Sequence, residues 1–374
     1  MKELRRAYGF DEISIAPGAV TINPEQVNTE FSLNGTTISV PIIASAMDAI
    51  VSPSFAVDLA QQGGLGVMNL EGVQTKYDDP YDALSRIIEA PSEEATKVLQ
   101  GIYAAPVKEE LVAARVNQIK SRGAICAVSV TPANTKRLGP LAVDAGADIL
   151  VVQSTVTTAR HNSRSVRGLV FSELLETINI PVLVGNCVSY NVAMELMETG
   201  IHGVIVGVGP GAACTTREVT GVGVPQVTAT LDCATARSDY FKRTGRYVPI
   251  ITDGGIRTGG DLCKAFACGA DAVMLGTSFA QSEEAPGKGY NWGMATPHAA
   301  LPRGTRVEVG VKGPLERILY GPTSKTDGTE NLMGALEACM GMVGATSIRE
   351  MHDAQIFIAP SIKTEGKHYQ LGMG

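Results

Sequence analysis

The stretch VPIITDGGIRTGGDLCKAFACGADAVMLGT, residues 248–277, decides the fold of this chain. It begins with a β-branched apolar run, VPIITDGG (248–255), continues with the helix-like segment GDLCKAFACGA (260–270), and ends with a second apolar run, DAVMLGT (271–277). Short runs of this kind are typical of strands buried on both faces, as in parallel sheets. A helix between two such strands is the crossover that joins parallel neighbours. The stretch therefore predicts one strand–helix–strand unit.

Further apolar runs precede this stretch, and each ends in small or polar residues. They are VPIIASAM (40–47), GLGVMN (64–69), ICAVSV (125–130), DILVVQS (148–154), IPVLVGN (180–186) and GVIVGVG (203–209). Helix-like segments such as VAMELMETG (192–200) lie between most of them. Eight strands that alternate with helices predict an α/β fold, the (β/α)8 TIM barrel, and a doubly wound open sheet is the competing arrangement. We expect one catalytic domain over residues 1–374, with a short insertion around 71–115 and an irregular C-terminal tail around 352–374.

Composition limits the class of protein. The 374 residues are 44% hydrophobic and 5% aromatic, and their formal net charge is −7, which favours neither a nucleic-acid groove nor an anionic-membrane surface. The chain has no apolar run of about 18 residues, and its start, MKELRRAYGFDEIS, lacks the apolar centre of a signal peptide, so we expect a cytoplasmic protein. The seven cysteines include no C-x-x-C pair, which favours reduced thiols over disulfides or structural zinc.

Glycines and polar residues follow the seventh and eighth runs, in TDGGIRTGGD (252–261) and LGTSFA (275–280). In a TIM barrel the active site lies at the C-terminal ends of the strands, and phosphate commonly binds after strands seven and eight. Backbone N–H groups at the start of a helix suit an anion. Asp253 would repel a phosphate but can accept hydrogen bonds from sugar hydroxyls. The two loops together predict a nucleotide site, although a tight turn explains each glycine taken alone.

A thiol lies in the loop after the sixth run. This loop, GVGPGAACTTREVTGVGVPQ (207–226), is rich in glycine and contains Cys214. A cysteine thiolate there can attack an electrophilic carbon, and the Thr216 hydroxyl can hydrogen-bond a leaving group or water. A buried structural cysteine in a glycine-rich connection is the alternative. The loop holds no histidine, so a protease-like Cys–His pair is not predicted within it.

Taken in order, these motifs resemble those of the IMP dehydrogenase/GMP reductase family. The resemblance rests on the loop at 207–226 together with ASAMD (44–48), GNCVS (185–189), TDGGIRTGGDLCKAFACGADAVMLG (252–276), EEAPG (283–287) and YNWGM (290–294). It runs from about residue 8 to about residue 351. It implies a purine nucleoside monophosphate, GMP or IMP, in the barrel, a covalent thioimidate between Cys214 and purine C2, and hydride exchange with a nicotinamide dinucleotide.

The resemblance also implies a role for each matching residue. The implied catalytic residues are Cys214, Thr216 and Glu308. The implied nucleotide contacts are Ser45, Met47, Asn186, Gly211, Asp253, Gly255, Gly276, Thr277, Tyr290, Gly293 and Met294, with Asp253 on the ribose. The implied cofactor contacts are Gln153 and Ser154. A monovalent cation such as K⁺ is expected at loop carbonyls around Gly207, Gly209 and Cys214.

The chain departs from the family pattern at several points. It lacks the regulatory (CBS) insertion that dehydrogenases usually carry, and residues 295–304 contain no Arg-Tyr pair of the kind with which dehydrogenases activate water. Pro302 or Arg303 stands where the family has a glutamate, and Glu308 is the nearest replacement. Two further replacements are Ala212 for a serine and Gln153 for an aspartate. The chain is therefore similar to a divergent branch of the family.

The short 295–304 connection favours the reductive reaction. A dehydrogenase must hydrolyse its covalent intermediate under a closed flap, whereas reduction of GMP to IMP releases ammonia and consumes no water. We therefore expect an NADPH-dependent GMP reductase that works through the Cys214 thioimidate. The alternatives are an IMP dehydrogenase that oxidises IMP to XMP with NAD and a purine-nucleotide-binding regulatory protein. The resemblance further implies a homotetramer or octamer, and no nucleic-acid or membrane partner is expected.

Overall fold

The computed structural model describes residues 4–162, 168–294 and 305–359. Its strands, in chain order, are β1 (Ile13–Ile15), β2 (Phe31–Leu33), β3 (Thr36–Ile38), β4 (Ile42–Ala44), β5 (Leu65–Asn69), β6 (Ala127–Val130), β7 (Ile149–Gln153), β8 (Val182–Cys187), β9 (Gly203–Val206), β10 (Ile250–Asp253), β11 (Ala272–Leu275), β12 (Tyr290–Trp292), β13 (Arg306–Glu308) and β14 (Ile356–Ile358). Strands β4 to β11 pair in parallel, and β11 returns to β4, so the sheet closes into an eight-stranded barrel. Each of the eight predicted runs contains one barrel strand. The TIM barrel is confirmed, and the open sheet is wrong.

Helices separate most of the barrel strands. They are α1 (Pro53–Gln61), α2 (Val73–Lys76), α3 (Pro80–Glu89), α4 (Ala95–Tyr103), α5 (Glu109–Lys120), α6 (Thr135–Asp144), α7 (Phe171–Thr177), α8 (Tyr190–Glu198), α9 (Thr216–Thr220), α10 (Gln226–Thr244), α11 (Gly259–Ala267), α12 (Thr277–Ala280), α13 (Leu315–Tyr320), α14 (Leu332–Val343) and α15 (Ile348–Met351). Two 3₁₀ helices, Phe10–Glu12 and Pro24–Gln26, lie near the N-terminus. None of the helices in the described residues is long and apolar enough to cross a membrane.

The barrel strands are buried on both faces, which is why they read as continuous apolar runs. In β8, Leu183 belongs to the apolar cluster inside the barrel, whereas its neighbours Val182 and Val184 belong to the cluster between the strands and the helices. All three side chains are fully buried. Alternate residues of a strand point to opposite faces, so an inner and an outer apolar layer require apolar residues at every position.

A hairpin formed by β2 and β3 closes the N-terminal end of the barrel. Phe31, Leu33 and Ile38 of this hairpin belong to the same buried cluster as the inward-facing residues of the barrel strands. Because the hairpin directly precedes β4, it lies at the end of the barrel where the strands begin. Within the described residues the hairpin covers this end, and the cavity described below lies at the other end, where the strands finish.

The segment between β5 and β6 holds more helices than one crossover needs. Helices α2, α3 and α4 come before α5, and α5 packs against α1 and α6 as a member of the outer helical ring. The buried Arg115 of α5 joins the two parts, because its Nε donates to the Gln74 carbonyl oxygen at 2.7 Å. The range predicted as an insertion, 71–115, thus contains three added helices and the first half of a ring helix.

The C-terminal segment is more regular than the sequence predicts. Strand β14 pairs antiparallel with β1, with Ile13 opposite Ile358 and Ile15 opposite Ile356. The prediction of an irregular tail from about residue 352 is therefore wrong for 356–358, since a partner far away in the sequence orders these residues. Residues 360–374 of the predicted tail, and the connection at 295–304, lie outside the described residues.

A buried ion pair lies at the N-terminal end of β10 and β11. Asp271 accepts a hydrogen bond from Arg237 Nη1 at 2.8 Å and another from the backbone N–H of Ile250, also at 2.8 Å. The Tyr247 hydroxyl donates to the second oxygen of the same carboxylate. These groups lie at the opposite end of the barrel from the cavity described below, so we assign them a role in stability.

Candidate active site

A cavity of about 860 Å³ lies at the C-terminal end of the barrel strands. Parallel strands that form a ring present their C-terminal ends on one face, so loops that are distant in the sequence meet there. Most of the residues predicted for the site line this cavity. They are Ser45, Met47, Gln153, Ser154, Asn186, Gly207, Gly209, Gly211, Cys214, Thr216, Asp253, Gly255, Gly276, Thr277, Gly293 and Met294.

Tyr290 and Glu308 are the exceptions among the predicted site residues. They face each other as register partners on the hairpin of β12 and β13, and neither lines the cavity. Glu308 is exposed to solvent, and the Tyr290 ring packs against the guanidinium of Arg306, with 4.6 Å from its Cζ to the ring centroid. The pairing of the hairpin places the two residues opposite each other, outside the cavity lining. The catalytic role of Glu308 and the phosphate contact of Tyr290 stay predictions.

Cys214 and Thr216 form a thiol–hydroxyl pair at the cavity. Cys214 is half-buried, and its Sγ lies 3.3 Å from Thr216 Oγ1. Thr216 is buried and begins α9, so the helix fixes the position of the hydroxyl. By contrast, burial raises the pKa of the Cys126 and Cys268 thiols to about 12, which keeps them protonated. Of these three thiols, only Cys214 combines access to the cavity with a polar neighbour.

Arg217 joins the two ends of the loop that carries Cys214. Its Nε donates to the Val208 carbonyl oxygen at 3.2 Å, and its Nη2 donates to the Val224 carbonyl oxygen at 2.6 Å. The side chain passes so close to Gly209, at φ +76°, that a Cβ there would lie 2.5 Å from Arg217 Cγ. Glycine is therefore required at 209 both for the backbone conformation and for the space that the arginine occupies.

Asp253 is the centre of a hydrogen-bonded cluster on the cavity wall. Its Oδ2 accepts hydrogen bonds from Asn186 Nδ2 at 2.8 Å and from Gln153 Nε2 at 3.1 Å. Gln153 Nε2 also lies 2.7 Å from Asn186 Oδ1. Burial raises the pKa of Asp253 to about 6, although the two amide hydrogen bonds oppose this rise. The cluster fixes the carboxylate in one orientation at the end of β10.

This geometry revises the predicted role of Gln153. Its side-chain nitrogen donates to the Asp253 cluster rather than standing free for a cofactor. The predicted cofactor residue beside it, Ser154, donates to the Val156 carbonyl oxygen at 2.9 Å and lies 2.9 Å from Thr157 Oγ1. Gln153 therefore also positions Asp253, and because both residues line the cavity, their cofactor contacts stay a prediction.

The sequence analysis missed a second carboxylate at the cavity, that of Glu71. It follows β5, and it accepts hydrogen bonds from Asn134 Nδ2, from the Thr131 hydroxyl at 3.1 Å and from the Thr131 backbone N–H. Around the barrel, β6 lies four strands from β10, so the Glu71–Thr131 cluster is across the cavity from Asp253. The signal in the sequence was a polar residue just after a buried run, the same signal that identified Asp253.

The cation site stays a prediction. One of the three implied carbonyl oxygens, that of Gly207, accepts a hydrogen bond from Asn186 Nδ2 at 2.8 Å. Among the described residues, no group of three or more His, Cys, Asp or Glu side chains could hold a metal ion. Any cation at this loop would therefore depend on backbone oxygens.

We predict that Asp253→Asn stabilises the ligand-free protein at alkaline pH. The folded pKa of about 6 exceeds the ordinary value of 3.8. Asp253 therefore lowers the stability of the fold least below pH 3.8, where the carboxyl is protonated in both the folded and the unfolded protein. Stability is lost as the pH rises to about 6, because the buried carboxylate must then carry its charge. At pH 8 the variant avoids burying the charge, and we expect a gain of about 1–2 kcal/mol in unfolding free energy. Urea unfolding at pH 8 and at pH 4.5 measures it, and a gain of equal size at both pH values would contradict the assignment.

Comparison with known proteins identifies the relatives of this fold and site. A family profile described as "IMP dehydrogenase / GMP reductase domain" matches residues 7–367 of the chain. An uncharacterized oxidoreductase of Mycobacterium tuberculosis is 40% identical over 355 residues, which cover 92% of this chain and 95% of that protein. The crystal structure of an IMP dehydrogenase/GMP reductase-like protein from Corynebacterium glutamicum has a TM-score of 0.90 at 37% identity and covers 96% of this chain and 95% of its own.

Relatives with a named activity differ in length. The inosine-5′-monophosphate dehydrogenase of Cryptosporidium parvum is 30% identical over 400 aligned positions, which cover 98% of this chain and 94% of that enzyme. The corresponding enzyme of Methanocaldococcus jannaschii aligns over 493 positions at 28% identity and therefore carries residues with no counterpart here. With the matching profile over nearly its whole length and with relatives at this level of identity, the chain belongs to the IMP dehydrogenase/GMP reductase family.

Proposed function

We propose that this oxidoreductase oxidises IMP to XMP with NAD, through a covalent bond between Cys214 and C2 of the purine. One observation carries the proposal. A single cavity contains the Cys214–Thr216 pair on the loop after β9 and the fixed Asp253 carboxylate at the end of β10. A carboxylate suits ribose hydroxyls, and a thiolate suits an electrophilic ring carbon. The two groups together fit a nucleoside monophosphate whose base reaches the thiol.

The residues of the chain account for the covalent steps. The Cys214 thiolate adds to C2 of IMP, and the ring takes up one proton, so C2 becomes tetrahedral and carries sulfur and hydrogen. A bound nicotinamide dinucleotide would supply a hydride acceptor for the hydrogen of C2. The remaining Cys214 thioimidate, protonated on the ring, then takes up water at C2, and cleavage of the C–S bond releases XMP, the thiol and one proton. Thr216 Oγ1, at 3.3 Å from the sulfur, can hydrogen-bond the water at that carbon.

Glu71 and its neighbours fit the far part of the dinucleotide. The cavity, about 860 Å³, falls at the upper end of the volumes found for ligand pockets and extends from Asp253 to the Glu71–Thr131 cluster. A fixed carboxylate accepts hydrogen bonds from the vicinal hydroxyls of an adenosine ribose and repels a 2′-phosphate. These contacts favour NAD over NADP.

The named relatives also support the oxidative direction. The Cryptosporidium parvum enzyme is an IMP dehydrogenase, and its alignment to this chain leaves no room for a large insertion on either side. The missing regulatory insertion, which distinguished this chain from most dehydrogenases, is therefore compatible with dehydrogenase activity. The missing insertion therefore no longer argues against the oxidative reaction, and the connection at 295–304 is the sequence argument that remains.

GMP reduction with NADPH is the second candidate, and the sequence analysis favoured it. The observation behind it is the connection at 295–304, which contains no Arg-Tyr pair to activate water. Without that pair we expect hydrolysis of the thioimidate to be the slow step of the oxidative reaction. A nucleotide-binding regulatory protein is the third candidate, and it leaves the Cys214–Thr216 pair without a role.

We predict NADH formation from IMP and NAD, as a burst followed by a slower steady rate. The burst is expected because hydride transfer precedes the slow hydrolysis, and its size should equal the enzyme concentration. Parallel assays with GMP plus NADPH, and binding of both nucleotides by calorimetry, complete the test. Faster NADPH oxidation with GMP than NADH formation with IMP would assign the reductase, and tight nucleotide binding without either reaction would assign the regulatory protein.

A further inference from the structure

Three buried side chains connect the inserted helices to the wall of the cavity. The indole Nε1 of Trp292 donates to the Tyr103 hydroxyl at 2.8 Å, and this hydroxyl donates to Asp48 Oδ2 at 2.7 Å. Trp292 and Asp48 are fully buried, and Tyr103 is 6% exposed. Tyr103 is the last residue of α4, whereas Trp292 ends β12 and Asp48 follows β4. One hydroxyl therefore joins an added helix to two separate parts of the barrel.

Both of these parts contribute residues to the lining of the cavity. Gly293 and Met294, directly after Trp292, line it on one side, and Ser45 and Met47, just before Asp48, line it on another. The Tyr103 hydroxyl also lies 3.4 Å from Met294 Sδ. Tyr103 itself does not line the cavity but contacts the two lining segments from behind.

We propose that Tyr103 is a positioning residue that holds the 292–294 segment against the 45–48 loop and so sets the width of the slot for the base. The ring alone would fill the same space, but only the hydroxyl accepts the indole N–H and donates to the carboxylate. Without it, two buried polar groups lose a partner, and a lost partner of a buried group is costly. The 292–294 segment then has no polar contact to α4 through Trp292. The identity of the base in this slot rests on the proposed function.

The expected effect is on nucleotide affinity rather than on chemistry. In the proposed function the segment would contact the nucleotide both before and during the reaction, so a displaced wall should weaken ground-state and transition-state binding together. Tyr103→Phe should raise the dissociation constant for IMP about tenfold, the scale of one buried hydrogen bond, and leave kcat within about twofold. The burst in NADH formation should keep its size.

Trp292 provides a readout that does not depend on activity. It is the one tryptophan of the sequence, and it is fully buried with its N–H bonded to Tyr103. In Tyr103→Phe we expect its emission to move to longer wavelength and its quenching by acrylamide to increase. The lost hydrogen bond changes the emission directly, whereas acrylamide quenching reports exposure of the ring, so a purely structural role for the tyrosine would lower the unfolding temperature without increasing the quenching.

Tyr77 offers a matched control within the same insertion. The Tyr77 hydroxyl donates to the carbonyl oxygen of Ile102, the residue before Tyr103, at 2.9 Å. It makes no hydrogen bond to Trp292. Tyr77→Phe removes the same atom and should leave both the Trp292 emission and the IMP affinity as in the wild type. In a Trp292→Phe background, adding Tyr103→Phe should cost little further affinity, since the contact is already lost.

Two results would contradict the role proposed for Tyr103. An unchanged IMP affinity and emission in Tyr103→Phe would overturn the proposal, and so would an equal change in Tyr77→Phe. If the wild type binds neither IMP nor GMP in calorimetry, the proposed function fails, and acrylamide quenching of Trp292 in the two variants still decides whether Tyr103 holds the segment. A change in Tyr103→Phe alone supports the proposal.

Discussion

Replacing Cys214 with alanine should lower turnover about a thousandfold or more while IMP still binds with nearly wild-type affinity. In the proposed reaction the thiolate forms the bond to C2, and Cys214 is the one thiol among the described residues that line the cavity. The Asp253 cluster and the glycine loops predicted to contact the nucleotide are unchanged by the substitution. The measurement combines steady-state NADH formation with calorimetric binding of IMP.

Cys268→Ala serves as the matched control for this prediction. Cys268 is buried at the end of α11, and burial raises the pKa of its thiol to about 12, so its removal should cost stability but not turnover. Incubation of the wild type with IMP and NAD, followed by mass spectrometry of the denatured protein, should detect the nucleotide on Cys214. Activity of Cys214→Ala above a few per cent would overturn the covalent mechanism for this chain.

Replacing Asp253 with alanine should weaken IMP binding about 10- to 150-fold. This corresponds to roughly 1.5–3 kcal/mol, the cost of losing hydrogen bonds to a charged group. Binding of free hypoxanthine should change little, because the base alone has no ribose. The wild-type affinity should also fall as the pH drops below about 6, where Asp253 takes up a proton, and the variant should lack this dependence.

Asp11→Ala is the control for the charge change. Asp11 also lines the cavity but is exposed and pairs with Arg257 at 2.6 Å, an exposed ion pair of the kind that contributes little. We expect it to change the IMP affinity less than threefold or so. Equal losses for hypoxanthine and IMP in Asp253→Ala would mean that Asp253 is not a ribose ligand.

The barrel was predictable because its signal is local. Each barrel strand is mostly apolar before its C-terminal end, since its residues face either the inner cluster or the helices, and a run such as 180–186 carries this information by itself. The reactive face was predictable for the same reason. Asp253 ends β10, Cys214 lies in the loop that follows β9, and the closed barrel brings the C-terminal ends of its strands to one cavity.

The differences between the sequence predictions and the structure concern residues whose position depends on a distant partner. Glu308 was chosen by its place in the sequence, but the pairing of β13 with β12 leaves it exposed and off the cavity lining. Strand β14 was missed because it is ordered by β1, at the other end of the chain. Glu71 was missed because its donors are Thr131 and Asn134, which follow a different strand.

The sequence by itself determined the strand count, the barrel, and the thiol and carboxylate at its open end, because hydrophobic period and strand-end chemistry are written in neighbouring residues. Only the tertiary structure decided which side chains meet. Gln153 reaches Asp253 across 100 positions, and Tyr103 reaches Trp292 across 189. A hydrogen bond needs two groups within about 3 Å and suitably oriented, and that condition is fixed by the closure of the barrel and the packing of the inserted helices, not by any local pattern.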